Sequence, residues 1–278
     1  INQLESIDHN LDSKYIKVIK TYLAMFINRI CMRYTKFNTW HIQQDTVEKI
    51  MGRQSISMVF DYPEANPFSN FTSAAGKQIT QIVSYIREES QNQFYGTFNN
   101  AASGDKEQFS YHEINVTVTD PPYYDAIAYA DVSDFFYVWM KRTLGNVFKN
   151  NFAIPQTPKT EECTALKHHH DGSFSTANDH FENMLRNIFT SIEFQTKDLV
   201  SIMFAHQSTK AWTTLCNSIL GSKMNLTGSW AIDTEVTGGL KDAGDFLASS
   251  VTVSCIPSKK IGIGDYKEVQ KEILQVIK

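Results

Sequence analysis

The sequence predicts an α/β fold: a mostly parallel sheet that finishes in an antiparallel pair of strands and is preceded by N-terminal helices. Three observations carry this reading. From Gln93 onward, apolar runs of strand length alternate with amphipathic segments of helix length, as in a parallel sheet covered by helices. The last two predicted strands have no helix between them, only the glycine-containing stretch 235–247, so they pair most simply as antiparallel neighbours. Residues 116–119, Val-Thr-Val-Thr, form a β-branched run that stops at Asp120-Pro121-Pro122-Tyr123. Two prolines fix φ and remove two backbone donors, so neither strand nor helix continues through them.

Taken in order, residues 12–34 predict a helix, because Tyr15, Val18, Ile19, Tyr22, Leu23, Phe26 and Ile30 recur at helical spacing behind an Asp12 or Ser13 N-cap. Asp45–Met51 predicts a short second helix ended by Gly52. Ile56–Asp61 predicts a strand, followed by the turn 63–68. Ile79, Ile82, Val83 and Ile86 mark one face of a helix over 73–89. Strands are then predicted at 93–98 and 114–119 and an aromatic-rich helix at 131–144. A long irregular connection, Gly145–Thr176, follows. Helix 178–194, strand 199–205, helix 209–220, strands 226–233 and 250–256 and a closing amphipathic helix over 266–277 complete the chain. The expected division is an N-terminal helical segment, 1–55, and a core, 56–278.

Composition limits the function classes. The 278 residues are 42% hydrophobic with 18 Phe and 12 Tyr, enough for a sizeable core, and at 20% charged the chain is not of the disordered class. A net charge of −4 does not describe a protein that coats nucleic acid through bulk electrostatics, so any DNA-binding surface must be local or supplied by another segment. Cys31, Cys163, Cys216 and Cys255 are far apart and form no C-x-x-C pair, which predicts reduced thiols rather than a zinc site or a disulfide framework. No apolar run reaches membrane-spanning length and no signal peptide is visible, so the expected compartment is the cytoplasm, with no membrane partner.

The proline-locked corner suits a specific chemistry. The Asp120 carboxylate can accept a hydrogen bond from an exocyclic amine, as can a proline carbonyl turned outward. The Tyr123 ring can stack on a planar base taken out of a duplex. The plain alternative is a proline-rich strand-to-helix turn without catalytic role. The corner matches the D-P-P-Y motif of amino-methylating DNA methyltransferases. With its flanks, residues 120–142 (DPPYYDAIAYADVSDFFYVWMKR) closely resemble a family of large adenine-specific DNA methylases. Gly52-Arg53-Gln54, residues 58–62, 64–68, 204–212 and 248–250 resemble segments of the same family in the same order, over roughly residues 15–257.

The resemblance implies a Rossmann-like class I methyltransferase fold, S-adenosylmethionine as methyl donor, and duplex DNA with a flipped adenine as substrate. It implies that Asp120 receives the target amine, that Pro121 and Pro122 aim a carbonyl at the same nitrogen, and that Tyr123 stacks on the base, making catalysis a matter of positioning. Tyr124, Asp125, Tyr129 and Asp131 are expected to shape the pocket, and polar capping with aromatic packing at a helix start is the equal alternative. His206, at the end of an apolar strand, is expected either to line the site or to be a satisfied near-core histidine.

Two departures qualify what carries over. The family's glycine-rich cofactor loop and the acidic residue after its second strand have no counterpart; the only close glycine pairs are Gly238-Gly239 and Gly262 with Gly264. The matched part therefore corresponds to the C-terminal portion of such an enzyme, with an incomplete sheet and a cofactor loop supplied by an upstream or partner segment. Asn100-Ala101 stands where the family has Asp-Ala, and is the cofactor-binding candidate. The rival readings are a catalytically silent module that binds nucleic acid or protein, and a methyltransferase acting on RNA or on a protein amide.

Other candidates are weaker. His168-His169-His170 cannot all face one ion and is read as a solvated loop, with no metal expected. Lys141, Arg142, Lys149, Lys159 and Lys167 are read first as a solvated basic face and second as phosphate contacts. The long connection 145–176 is the candidate for target recognition, since long loops at a ligand edge usually carry function.

Overall fold

The computed structural model describes residues 12–48, 50–51, 55–56, 58–105, 108–232 and 250–258, with 267, 270, 271 and 275. The chain forms two compact units: Ile1–Phe98 with Ile127–Glu162, and Asn99–Ala126 with Cys163–Lys278.

The first unit is helical. α1 (Ser13–Cys31) begins at Asp12, whose carboxylate accepts the Lys14 N–H at 3.0 Å, and it packs against α2 (Ala75–Glu89) and α3 (Tyr129–Leu144). Arg29 reaches from α1 to Gln78 and Gln81 on α2 at 2.9 and 2.6 Å. Arg33 donates to the Val47 carbonyl at 2.7 Å and to Ser73 Oγ at 2.8 Å, which ties the intervening chain to the helix pair. The helix expected at 45–51 is absent. Asp45 adopts φ 46°, and Thr46–Val47 (β2) pairs antiparallel with Trp40–His41 (β1). A left-handed residue at the start turns the chain back on itself, which a helix cannot accommodate.

The strands expected at 56–61 and 93–98 are also absent; the described residues of both stretches are irregular. Phe60 is 98% exposed and Tyr95 96% exposed. Their composition favours strands, but a strand exists only where a neighbouring edge takes up its backbone donors and acceptors.

The second unit holds a four-stranded sheet in the order β3-β4-β6-β5, with β3 Ile114–Thr119, β4 Thr196–Phe204, β5 Met224–Ile232 and β6 Ser250–Pro257. β3 and β4 are parallel. β6 lies antiparallel between β4 and β5. The C-terminal antiparallel pair is thus as predicted, but the sheet is mixed rather than mostly parallel, because only one of its three pairings is parallel. α4 (Phe174–Gln195) and α5 (Thr209–Gly221) cover one face, burying Phe181, Leu185, Phe189, Leu215 and Ile219 against Val200, Ile202, Phe204, Val253 and Cys255. α4 starts four residues earlier than predicted, because Ser173 caps it by accepting the Thr176 N–H. Val116, Val118 and Trp230 fall in the opposite register, and Val118 is 77% exposed.

The glycine pairs at 238–239 and 262–264, Gly52-Arg53-Gln54 and the whole stretch 235–247 lie outside the described residues. So does most of the predicted closing helix, of which Lys267, Gln270, Lys271 and Gln275 are helical. Among the described residues no helix is long and apolar enough to cross a membrane.

Candidate functional site at the carboxyl ends of β3 and β4

Because β3 and β4 run parallel, with Thr119 opposite Ile202, both strands deliver their next residues to the same sheet edge. In α/β proteins this edge, beyond the carboxyl ends of parallel strands, is where ligands sit. From β3 come Asp120-Pro121-Pro122-Tyr123-Tyr124-Asp125. From β4 come Ala205 and His206. Asp120 and Asp125 are exposed, Pro121 and Tyr124 buried, and Pro122 and Tyr123 between these extremes.

Tyr124 anchors the corner. Its φ of 51° lies in the left-handed region, which a bulky residue enters only when its surroundings hold it there. Here the ring is in the core, edge-on to Phe181 with centroids 5.1 Å apart and to His206 at 5.5 Å. The Tyr124 hydroxyl donates to Asn178 Oδ1 on α4. Its N–H donates to the Pro122 carbonyl at 2.9 Å, and its carbonyl accepts the Ala165 N–H at 2.9 Å. Desolvation by burial, with the negative charge of Asp125, pushes the phenol pKa up and keeps it a donor. A residue expected to shape the substrate pocket is therefore a core anchor, turned away from the solvent side.

That geometry distributes the carbonyls. Pro122 C=O is taken by Tyr124 N–H, and Tyr123 C=O accepts the Ala126 N–H at 2.8 Å. Among the described residues Pro121 C=O has no such partner, so of the two prolines it is Pro121 that has a carbonyl to offer.

Tyr123 packs edge-on against Phe204 with centroids 6.1 Å apart, and its hydroxyl is hydrogen-bonded to the Asp120 carboxylate. Partial burial desolvates that carboxylate and raises its pKa above the ordinary 3.8, and the Tyr123 hydroxyl pulls it part of the way back. The acid and the flat ring are thus coupled to each other at the surface.

His206 joins the two loops. Its Nε2 lies 3.2 Å from Asp125 Oδ1, and its Nδ1 accepts the Ser208 N–H at 2.9 Å. The Trp212 indole N–H donates to the His206 carbonyl at 2.8 Å. The His206 side chain is 10% exposed, with both ring nitrogens partnered.

The structure brings together Asp120, Pro121, Pro122, Tyr123, Tyr124, Asp125 and His206. Tyr129 and Asp131 belong to the first turn of α3, in the other unit. Asn100 and Ala101 are exposed on the loop before β3. That loop is fastened by the Asp105 carbonyl to Ser191 Oγ at 2.9 Å and Gln195 Nε2 at 3.1 Å, at the end of α4 that feeds the start of β4. This is the amino side of the sheet, so the cofactor-binding candidates are not brought to the corner. The basic residues of the long connection are mostly engaged within the protein. Lys159 Nζ lies 2.6 Å from Asp134, Lys141 donates to the Ile154 carbonyl at 2.6 Å, Arg142 stacks on Trp139, and Lys167 lies over Phe174.

Sequence reasoning missed Asn178, Ala165 and Phe181 as supports of the corner. Nothing in their spacing marks them, because they reach Tyr124 only through the fold. Ser208 and Trp212 lie in a segment, 204–212, that the sequence analysis singles out. Comparison of the chain with protein-family models, with curated proteins and with solved structures finds no match.

Proposed function

We propose that this chain carries the base-receiving half of a DNA methyltransferase that acts on the N6 amine of adenine. The observation that supports it best is the state of the corner: an exposed Asp120 and a half-buried Tyr123 ring stand at the carboxyl edge of a parallel strand pair, while Tyr124 anchors them from below. In this reading Asp120 accepts one amine hydrogen and Pro121 C=O the other, and Tyr123 supports the extruded base by stacking. The nitrogen lone pair is left facing outward. No strong general base is needed, since the proton can leave after the methyl has arrived.

S-adenosylmethionine is not fitted by the described residues. β3 and β4 end in Asp120-Pro121-Pro122 and Ala205-His206-Gln207, neither of which contains a glycine, and Asn100 and Ala101 lie at the far side of the sheet. In this reading the contribution of the described residues is to hold the acceptor, and the donor is brought by an upstream or partner segment. The missing donor site also favours a second reading, a catalytically silent methyltransferase-like module that binds nucleic acid or protein. Methyl transfer to duplex DNA, measured with a segment that binds S-adenosylmethionine supplied, separates the two. Methylation of adenine that disappears in Asp120→Ala, with an unchanged circular dichroism spectrum, supports the enzyme. Retained activity removes Asp120 from the mechanism, and methylation confined to RNA or protein ends the DNA reading.

A further inference from the structure

We propose that His206 is a positioning residue: fixed as its Nε2–H tautomer, it holds the Asp125 carboxylate and the turn around it beside the Asp120–Tyr123 corner. The tautomer follows from hydrogen-bond roles. A backbone N–H can only donate, so the Ser208 N–H at 2.9 Å makes Nδ1 the acceptor and leaves the ring proton on Nε2. Nε2–H then donates to Asp125 Oδ1 at 3.2 Å, a charge-assisted bond.

Everything that orients the ring is built in. Phe204 lies parallel to the imidazole with centroids 6.4 Å apart, and Tyr124 meets it edge-on. Trp212, from the second turn of α5, packs edge-on against Phe204 at 5.1 Å and donates to the His206 carbonyl. Ser208 does two jobs: its N–H fixes the tautomer, and its hydroxyl caps α5 by accepting the Lys210 N–H at 3.2 Å. Residues 204–212 are therefore one clamp that turns the end of β4 toward the loop of β3. Asp125 is the residue the clamp grips, and its side chain remains 42% exposed on the corner's surface. Beside the corner it adds a second carboxylate whose direction is fixed by a neutral imidazole rather than by a cation. Its service to a base rests on the methyltransferase reading; the tautomer and the grip do not.

The test uses the full chain and two variants that divide the imidazole's roles. His206→Asn keeps an acceptor near the Nδ1 position for Ser208 but has no donor in reach of Asp125. His206→Gln extends an amide N–H to the Nε2 position. Long-range 15N–1H correlation spectra of the wild type are expected to show His206 protonated at Nε2 and bare at Nδ1. Amide exchange at Ala126, whose N–H closes the turn onto Tyr123, is expected to speed up about tenfold in His206→Asn and to recover in His206→Gln. In methyl-transfer assays with a segment that binds S-adenosylmethionine supplied, KM for duplex DNA is expected to rise about tenfold in His206→Asn, with kcat within about threefold, and to recover in His206→Gln. A ring protonated at Nδ1, or Ala126 exchange unchanged in His206→Asn, overturns the proposal. Equal loss in both variants also overturns it, since that marks plain packing. If the wild-type chain, supplied with a segment that binds S-adenosylmethionine, methylates nothing while the spectra and the exchange behave as expected, the methyltransferase reading fails and the clamp stands.

Discussion

At the scale of single residues, the corner shows how one strained position sets the chemistry of its neighbours. Tyr124 sits at positive φ because its ring, hydroxyl, N–H and carbonyl are all engaged below the surface. Tyr124→Ala is expected to cost about 3–5 kcal/mol, the range for deleting a buried aromatic ring, read as a lower urea midpoint. Tyr123 has a different burden. Tyr123→Phe keeps the ring against Phe204 and is expected to be much milder than Tyr123→Ala in methyl transfer. It also removes the hydroxyl that lowers the Asp120 pKa. On the methyltransferase reading, Asp120 accepts the amine best as a carboxylate, so the rate is expected to rise with pH through its pKa. The acidic limb of the wild-type profile is then expected above the ordinary aspartate value of 3.8, and Tyr123→Phe is expected to move it further up. A limb that stays in place in Tyr123→Phe would disconnect the two residues.

At the scale of elements, the first part of the long connection expected to recognise DNA, up to Glu162, is fastened along α3 in the first unit. Asp134 accepts the Thr157 N–H at 2.9 Å, the Thr157 hydroxyl at 2.7 Å and Lys159 at 2.6 Å, and Tyr137 donates to the Ile154 carbonyl at 2.7 Å. Desolvation raises the Asp134 pKa, but the bonds from Lys159 and Thr157 and the Lys159 charge outweigh it, and the net value falls below 3.8. A depressed folded pKa stabilises the fold above the unfolded value, and that stability is lost as pH falls through the folded one. Asp134→Ala is expected to cost about 1–3 kcal/mol at neutral pH. The difference from wild type shrinks on acidification below pH 3.8, measured by thermal melts across pH. In the sheet, by contrast, Val118→Thr is expected to change stability by less than about 0.5 kcal/mol, because Val118 is already in water, whereas Val200→Ala at a fully buried position costs several times more.

At the scale of the whole molecule, two compact units share one chain that crosses between them at 98–99, 126–127 and 162–163. The second crossing falls one residue after the gripped Asp125, so the D-P-P-Y corner and the start of α3 that follows it belong to different units. The buried thiols belong to the scaffold: burial pushes the Cys255 pKa up to about 11, with the neighbouring Cys216 adding to the shift, and holds it as an unreactive thiol. Exposed apolar residues such as Met58, Phe60, Phe94, Tyr95 and Phe98, together with the uncovered face of β3, are concentrated in stretches read as strands or strand edges.

Local chemistry was enough to place the helices α1, α2, α3, α4 and α5 and the strands of the four-stranded sheet to within a few residues. Each rests on periodicity, capping or proline punctuation that acts over a single turn or a single pleat. The same signals mark Asp120 to Tyr123 as a rigid surface corner. They do not separate a strand from a strand-like run with no neighbour, which is why 56–61 and 93–98 were misread, and they do not count parallel against antiparallel pairings. Tertiary structure alone decided that Tyr124 faces inward, that among the described residues the Pro122 carbonyl is taken and the Pro121 carbonyl is not, that His206 pairs with Asp125, and that the loop carrying Asn100 and Ala101 is fastened by Asp105 to the end of α4. Each of these depends on contacts across tens of residues, from Asn178, Ala165, Ser208 or Gln195, and no local pattern encodes which distant side chain will arrive.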